Sequence, residues 1–284
     1  MSRPNNSKNW LYDEYSQSSG LSFEIETVLF DQQTDYQNIK IVKVKDLGVA
    51  LLLNNWIYRT EDCGSCMPEM IVHVPMNSGS HQKKKVLLIG GGDGYSLAEL
   101  VKYKDIEQID LVDIDKIVVE KCQEFFPVAK SAFTDHRVNI YYDDGANYLA
   151  LKPDNYYDLI LVTGTEILDI QGNPGISNSL FTSDFYQLCF QKLTNAGILL
   201  TDGQNGYYGG QFYKQNNQVI KNFFPIVKNY IVTSKYIPGG LYLITIATKN
   251  IDPETEVRTN NLIGLKYYNQ KIHHSSFSLP NFLL

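Results

Sequence analysis

Polar and apolar positions alternate along the first third of the chain, then give way to compact apolar runs separated by helical patterns. Leu21 to Phe30 has a period of two, as does Asn38 to Val44, and Val49 to Leu53 is an unbroken apolar run. A period of two puts successive side chains on opposite faces of a strand, so these segments predict antiparallel strands. Asp46-Leu47-Gly48 and Asn54-Asn55 supply the turns between them. Residues 1–80 therefore read as a small β domain. From Val86 the pattern becomes strand, helix, strand, helix. Strands are expected at Val86 to Ile89, Ile109 to Asp115, Arg137 to Tyr142, Tyr157 to Val162, Gly197 to Thr201 and Leu241 to Thr248. Helices are expected from Ser96, over Lys116 to Phe126 with Pro127 closing it, around Ala146 to Leu151, and over Ser183 to Leu193. Such alternation predicts an α/β unit with a mostly parallel sheet over 81–255, followed by a C-terminal tail, 256–284, that reads as a surface tail or a terminal helix.

The run Val86 to Ile89 leads into Gly90-Gly91-Gly92-Asp93-Gly94. Glycines permit positive φ and let a ligand approach the backbone closely, and the helix after them aims its N–H groups at whatever lies above the strand. The next strand ends in Asp113, and an acid in that position accepts hydrogen bonds from ribose hydroxyls. Asp144-Gly145 and Thr163 fall at two further strand ends. A nucleoside ligand follows from this set. No Gly-Lys-Ser/Thr succeeds the turn, so it is not a phosphate-binding P-loop. Asp93 would repel a pyrophosphate and attract a cation, which favours a positively charged nucleoside such as a sulfonium.

Composition narrows the partners. The 284 residues are 43% hydrophobic and 20% charged, ordinary for a globular chain, with a formal charge of −6. That balance offers no basic surplus for nucleic acid or an anionic membrane. The basic run Lys83-Lys84-Lys85 reads as a solvated strand entrance. No apolar run approaches the roughly 20 residues of a membrane span, and the first residues lack a signal-peptide core, so a cytoplasmic location is expected. Cys63-Gly64-Ser65-Cys66 has redox or half-zinc spacing, but no second pair of ligands completes a site, and two reduced thiols are expected. The same holds for His273-His274; no metal is expected.

With these motifs placed, residues 10–249 resemble the polyamine aminopropyltransferases, the spermidine synthase family. Thr34-Asp35-Tyr36-Gln37 resembles the family's Ser-x-Tyr-Gln, whose glutamine contacts thioadenosine. Thr60-Glu61 and Glu69 to Pro75 resemble its Thr-Glu…His-Glu-Met-Ile-x-His-x-Pro segment. Gly90 to Gly94 resembles Gly-Gly-Gly-Asp-Gly, whose aspartate holds the aminopropyl amine or the polyamine. Asp113-Ile114-Asp115 resembles Glu-Ile-Asp, whose first acid binds the ribose, and Asp144-Gly145 resembles the Asp-Gly beside the adenine. Leu180-Phe181 and Phe185-Tyr186 resemble a further family run. The resemblance implies a Rossmann-like, class I methyltransferase-like fold. It also implies decarboxylated S-adenosylmethionine as co-substrate with no prosthetic group, an amine such as putrescine as acceptor, and a homodimer or homotetramer joined partly through the N-terminal β domain. Gln37, Gly90, Gly91, Gly92, Asp93, Asp113, Asp144 and Gly145 would then hold the nucleoside.

The acceptor half departs from that pattern. Thr163-Gly164-Thr165-Glu166 stands where the family has Asp-Ser-Ser/Thr-Asp, so Thr163 occupies the place of the proton acceptor and Glu166 is the nearest substitute base, with Asp169 behind it. Met67-Pro68 replaces the family's Tyr-His, and Asp202 and Gln204 replace its Gln-Gly-Glu. Glu69, Asp93 and Glu166 are candidates to hold the amine, among carboxylates that also include Asp62, Asp169 and Asp202. Three readings remain: an active aminopropyltransferase, a non-catalytic paralogue that binds thioadenosine or a polyamine, and a transferase using S-adenosylmethionine itself. The last is disfavoured because Asp93 would repel that donor's carboxylate.

Overall fold

The computed structural model describes residues 9–16, 19–62, 64–164, 175–209, 212–258 and 262–284. Strands β1 (Asn9–Ser16), β2 (Ser19–Gln33), β3 (Asn38–Val44), β4 (Gly48–Leu53) and β5 (Trp56–Thr60) pair in sequence order as an antiparallel sheet. Its turns use Asp46, Asn54 and Asn55 at positive φ, where short polar side chains are tolerated better than most. The expected turns are thus the observed ones.

Helix α1 (Cys66–Asn77) lies in a stretch that the alternating pattern assigns to the β domain. Every residue from Met67 to Asn77 is buried, the polar Glu69, His73 and Asn77 included, so the helix has no solvent-facing side to mark its period. After it come β6 (Lys85–Ile89), α2 (Tyr95–Leu100), β7 (Gln108–Asp113), α3 (Lys116–Phe125), α4 (Pro127–Phe133), β8 (Val138–Tyr142), α5 (Gly145–Ala150) and β9 (Tyr157–Val162). The chain continues through α6 (Ser183–Lys192), β10 (Leu193–Thr201), α7 (Phe212–Ile220), β11 (Ile226–Thr233), β12 (Leu241–Thr248) and α8 (Gln270–Ser276). Because α1 packs on α2, β9, β10 and β11, the two units divide between Thr60 and Cys66 rather than at residue 80.

The second sheet has the order β11-β12-β10-β9-β6-β7-β8. β6 to β10 are parallel, and β12 runs antiparallel to both of its neighbours. Val86 to Ile89 and Leu159 to Val162 are buried throughout, as parallel strands covered on both faces must be. This is the α/β architecture behind an antiparallel β domain that the pattern predicts, Rossmann-like as the resemblance implies. Further described elements escape the periodicity argument: β1, β5, α4, α7 and β11. Pro127 ends α3 and, with no N–H to leave unsatisfied, also opens α4. β11 is a half-buried edge strand with little alternation to detect.

Of the two expected forms the C-terminal residues take the terminal helix, α8, and they are anchored rather than lying as a loose surface tail. Tyr268, His273, Phe277 and Leu283 are buried. The two ring nitrogens of His273 bond the Tyr268 hydroxyl at 2.9 Å and the Pro253 carbonyl at 2.8 Å. His273 is therefore built into the packing, and no described His, Cys, Asp or Glu joins it in a metal-holding group.

Asp13 of β1 is completely buried, and a backbone hydrogen bond from Ile57 offsets that burial only in part. Burial pushes its pKa up to about 7. The folded protein therefore favours the protonated acid, and this residue's contribution to stability is full below about pH 4 and lost as pH rises to 7. Asp13→Asn is expected to raise Tm at pH 7.5, by about 2 to 4 °C for each kcal/mol recovered, and to leave it unchanged near pH 4. Thermal melts across that range check the sign.

Candidate nucleoside site

Ile89 pairs with Val112 on one side and Val162 on the other, so the carboxyl ends of β6, β7 and β9 are level. β7 and β8 lie to one side of β6 and β9 to the other, which makes β6 the point where the strand order reverses and a crevice opens. The glycine turn fills that crevice. Gly90 has φ +75°, and a Cβ there would strike the carbonyl oxygen of Thr163. At Gly92 a Cβ would strike the carboxylate of Asp113, and its N–H instead donates to Asp113 Oδ2 at 2.8 Å.

Asp113 also accepts from the Asp115 N–H at 3.0 Å. Burial raises its pKa to about 6, against the opposing pull of these two amides. Asp115 caps α3 through the Ile117 N–H at 3.1 Å and takes two donors from the β2–β3 turn, Thr34 Oγ1 at 2.7 Å and Gln37 Nε2 at 3.3 Å. The N-terminal domain thus reaches over the crevice and holds Gln37 at its wall. Asp144 caps α5 by accepting from the Ala146 and Asn147 N–H groups, both at 2.9 Å.

A cavity of about 640 Å³, including its mouth, lies over these strand ends. Gln37, Gly90, Gly92, Asp93, Asp113, Asp144 and Gly145 line it, together with Tyr58, Ile114, Asp143 and Gly164. Of the eight residues expected around the nucleoside, only Gly91 is off the wall; a Cβ there would meet Leu88 beneath the turn.

Asp93 departs from an open cation site. Its Oδ1 accepts from the Tyr95 N–H at 2.7 Å, while its Oδ2 takes Arg59 Nε at 2.8 Å and Arg59 Nη2 at 2.7 Å. The side chains of Arg59 and Asp93 are only 4% and 2% exposed, so this is a buried ion pair.

The other acceptor candidates do not converge. Glu69 is a correction: it lies away from the cavity, its two oxygens accepting the N–H groups of Lys266, Tyr267 and Tyr268 at 2.7–2.8 Å. A carboxylate placed on a helix opposite three successive amides becomes a fastening for the C-terminal segment. Thr163 is buried with its hydroxyl donating to the Gly90 carbonyl at 3.3 Å, tying β9 to β6. Asp202 accepts from the Gly164 and Gly203 N–H groups and from the Tyr242 hydroxyl, and Asp62 pairs with Lys235. Glu166, Asp169 and Cys63 lie outside the described residues.

A spermine/spermidine synthase domain matches residues 65–259, and a spermidine synthase tetramerisation domain matches residues 9–61. The chain belongs to the spermine/spermidine synthase family. The polyamine aminopropyltransferase of Alkaliphilus oremlandii (strain OhILAs) is 35% identical over 96% of both chains, and that of Clostridium beijerinckii 33% over the same shares. Among solved structures, a spermidine synthase in complex with the transition-state analogue AdoDATO superimposes with a TM-score of 0.91 at 32% identity, over 99% of this chain and 95% of that one. The spermidine synthase from Thermotoga maritima gives 0.89 at 32%, over 98% and 94%. The family's boundary near residue 61 agrees with the packing of α1.

Tyr58 and Arg59 were not singled out by the sequence patterns. The signal available was an arginine one residue from the end of a short apolar run, Trp56-Ile57-Tyr58-Arg59-Thr60, where a buried register position would force it to find an acid.

Removing the Asp113 carboxylate is expected to weaken methylthioadenosine binding by about 1.5 to 3 kcal/mol, the range for hydrogen bonds to charged groups. Wild-type affinity should be full above pH 7 and fall as Asp113 protonates below about pH 6; calorimetry of Asp113→Ala and a pH series measure both. Glu69→Ala should lower stability by about 3 kcal/mol or more and expose the segment after residue 258 to limited proteolysis, with methylthioadenosine affinity unchanged.

Proposed function

We propose that this chain transfers the aminopropyl group of decarboxylated S-adenosylmethionine to putrescine or a related amine in the cytoplasm, releasing methylthioadenosine, as one step of polyamine biosynthesis. The observation that carries the reading is the crevice itself: the glycine turn, Asp113 and the Asp144 cap meet at one cavity where the strand order reverses. Kinship with enzymes named polyamine aminopropyltransferase supports the reaction type.

In that reaction the acceptor nitrogen's lone pair forms a bond to the methylene carbon on the sulfonium. The carbon–sulfur bond breaks with its electron pair going to sulfur, which leaves as a neutral thioether. The leaving group is already activated, so the protein supplies alignment and a base for the proton of the attacking ammonium. Asp113 would take the ribose hydroxyls, Gln37 and Asp144-Gly145 the remainder of the nucleoside, and Asp93 would face the sulfonium end. Glu166 is the nearest carboxylate in sequence to the place of the missing base and is assigned that role here. The N-terminal sheet would join copies of the chain into a homodimer or homotetramer, which light scattering would register.

A second reading, a nucleoside- or polyamine-binding paralogue without turnover, is favoured by one observation. The Thr163 hydroxyl is committed to the Gly90 carbonyl and is no carboxylate.

Incubating the protein with decarboxylated S-adenosylmethionine and putrescine, cadaverine, agmatine or spermidine should give methylthioadenosine plus an aminopropylated amine by mass spectrometry. Glu166→Gln should lower turnover about 10²- to 10⁴-fold, the usual effect of losing a general base. Absence of product with methylthioadenosine still bound would select the second reading; full turnover by Glu166→Gln would remove that residue from the mechanism.

A further inference from the structure

The wall of the cavity at Asp93 carries a positive partner built into the protein. Arg59 binds Asp93 Oδ2 through Nε and Nη2, and Tyr95 N–H takes the other oxygen, so both carboxylate oxygens are engaged. The guanidinium is held on two further sides. Its Cζ lies 5.3 Å from the Tyr58 ring centroid and 5.6 Å from that of Tyr95, and Nη1 donates to the Tyr236 hydroxyl at 3.4 Å. Two aromatic faces and a carboxylate fork fix a guanidinium far more firmly than they would an ammonium.

An incoming cation meets this pair as a unit. The attraction of Asp93 is offset by a positive charge in contact with it, and both sit in a water-poor wall where opposite charges are screened little. Displacing Arg59 to free the carboxylate would strand a guanidinium that is almost wholly buried, which is strongly unfavourable. The remaining carboxylates of the cavity stand elsewhere. Asp113 ends β7 and Asp143 and Asp144 follow β8, whereas Asp93 follows β6 and its neighbours Tyr58 and Gly164 come from β5 and the end of β9. With the strand order β9-β6-β7-β8, the other described acids that line the cavity lie on the side opposite Gly164, whose N–H bonds the Asp202 carboxylate just outside the lining.

We propose that Arg59 sets the charge preference of this cavity: by closing Asp93 into an ion pair, it makes the site take a neutral thioether nucleoside, such as methylthioadenosine, in preference to a dicationic sulfonium donor. Arg59 acts through Asp93 and is a specificity-determining, positioning residue. The proposal rests on the nucleoside placement given under the proposed function, and it holds whether or not the chain turns over.

The test is calorimetry of the full-length protein at pH 7.5 with methylthioadenosine and with decarboxylated S-adenosylmethionine, on wild type and Arg59→Gln. The wild type should bind methylthioadenosine at least tenfold more tightly. Arg59→Gln should gain at least tenfold for the donor and stay within threefold for methylthioadenosine, and adding Asp93→Asn to it should abolish that gain. Tighter binding of the donor than of methylthioadenosine by wild type overturns the proposal, as does an Arg59→Gln effect equal for both ligands. Should Arg59→Gln fail to fold, the wild-type ratio alone decides, and the neutral pair Arg59→Gln with Asp93→Asn reports whether selectivity has disappeared. If neither nucleoside binds wild type, the nucleoside placement itself fails, an outcome distinct from reversed selectivity with both bound.

Discussion

A buried carboxylate has to find donors, and the search of Asp113 for them organises the ligand-binding face. Its two oxygens are reached by the N–H groups of Gly92 and Asp115, one on the turn after β6 and one at the entrance to α3. That pair of bonds requires the glycine turn to fold back toward β7, which only a residue without Cβ permits at position 92. The same bonds leave Asp113 under tension between burial and hydrogen bonding, with a pKa of about 6. A ligand that brought hydroxyl donors would relieve that tension, so the folded chain is already shaped to favour one.

Asp115 extends the constraint into the first domain. One of its oxygens caps α3 and the other collects Thr34 and Gln37 from the turn between β2 and β3. A contact between residues about 80 positions apart therefore sets the orientation of the small sheet against the large one at the cavity. The small domain is thus a wall of the site as well as an oligomerisation module of its family.

The sequence made the nucleoside half legible because local chemistry dictates it. Strand, glycine turn and acid-tipped strand are contiguous, and the Asp144 cap needs only the two residues after it. The parts that did not show in the pattern depend on tertiary partners. α1 is buried on every side, its polar Glu69, His73 and Asn77 included, and so shows no solvent-facing stripe. Glu69 looks like any acid of a polyamine site until the chain returns, almost 200 residues later, to present three amides to it. Arg59 and Asp93 are separated by 34 positions, and only the packing of β5 beside the glycine turn makes them an ion pair.

The two halves of the cavity consequently answer to different physics. Around Asp113 and Asp144 the carboxylates are satisfied by backbone amides, which carry no net charge and leave each acid able to act on a ligand. At Asp93 the carboxylate is satisfied by a guanidinium, which cancels its charge as well as filling its lone pairs. Hydrogen bonding alone does not tell these situations apart, since every oxygen of the three carboxylates has at least one donor; net charge does. A member of a family whose resemblance implies a cationic co-substrate thus has an acid in its glycine turn and beside it an arginine, which stays charged even when buried. The functional question turns on that pair more than on the missing carboxylate at Thr163, because a base can be supplied from a neighbouring loop whereas a buried counter-charge cannot be bypassed.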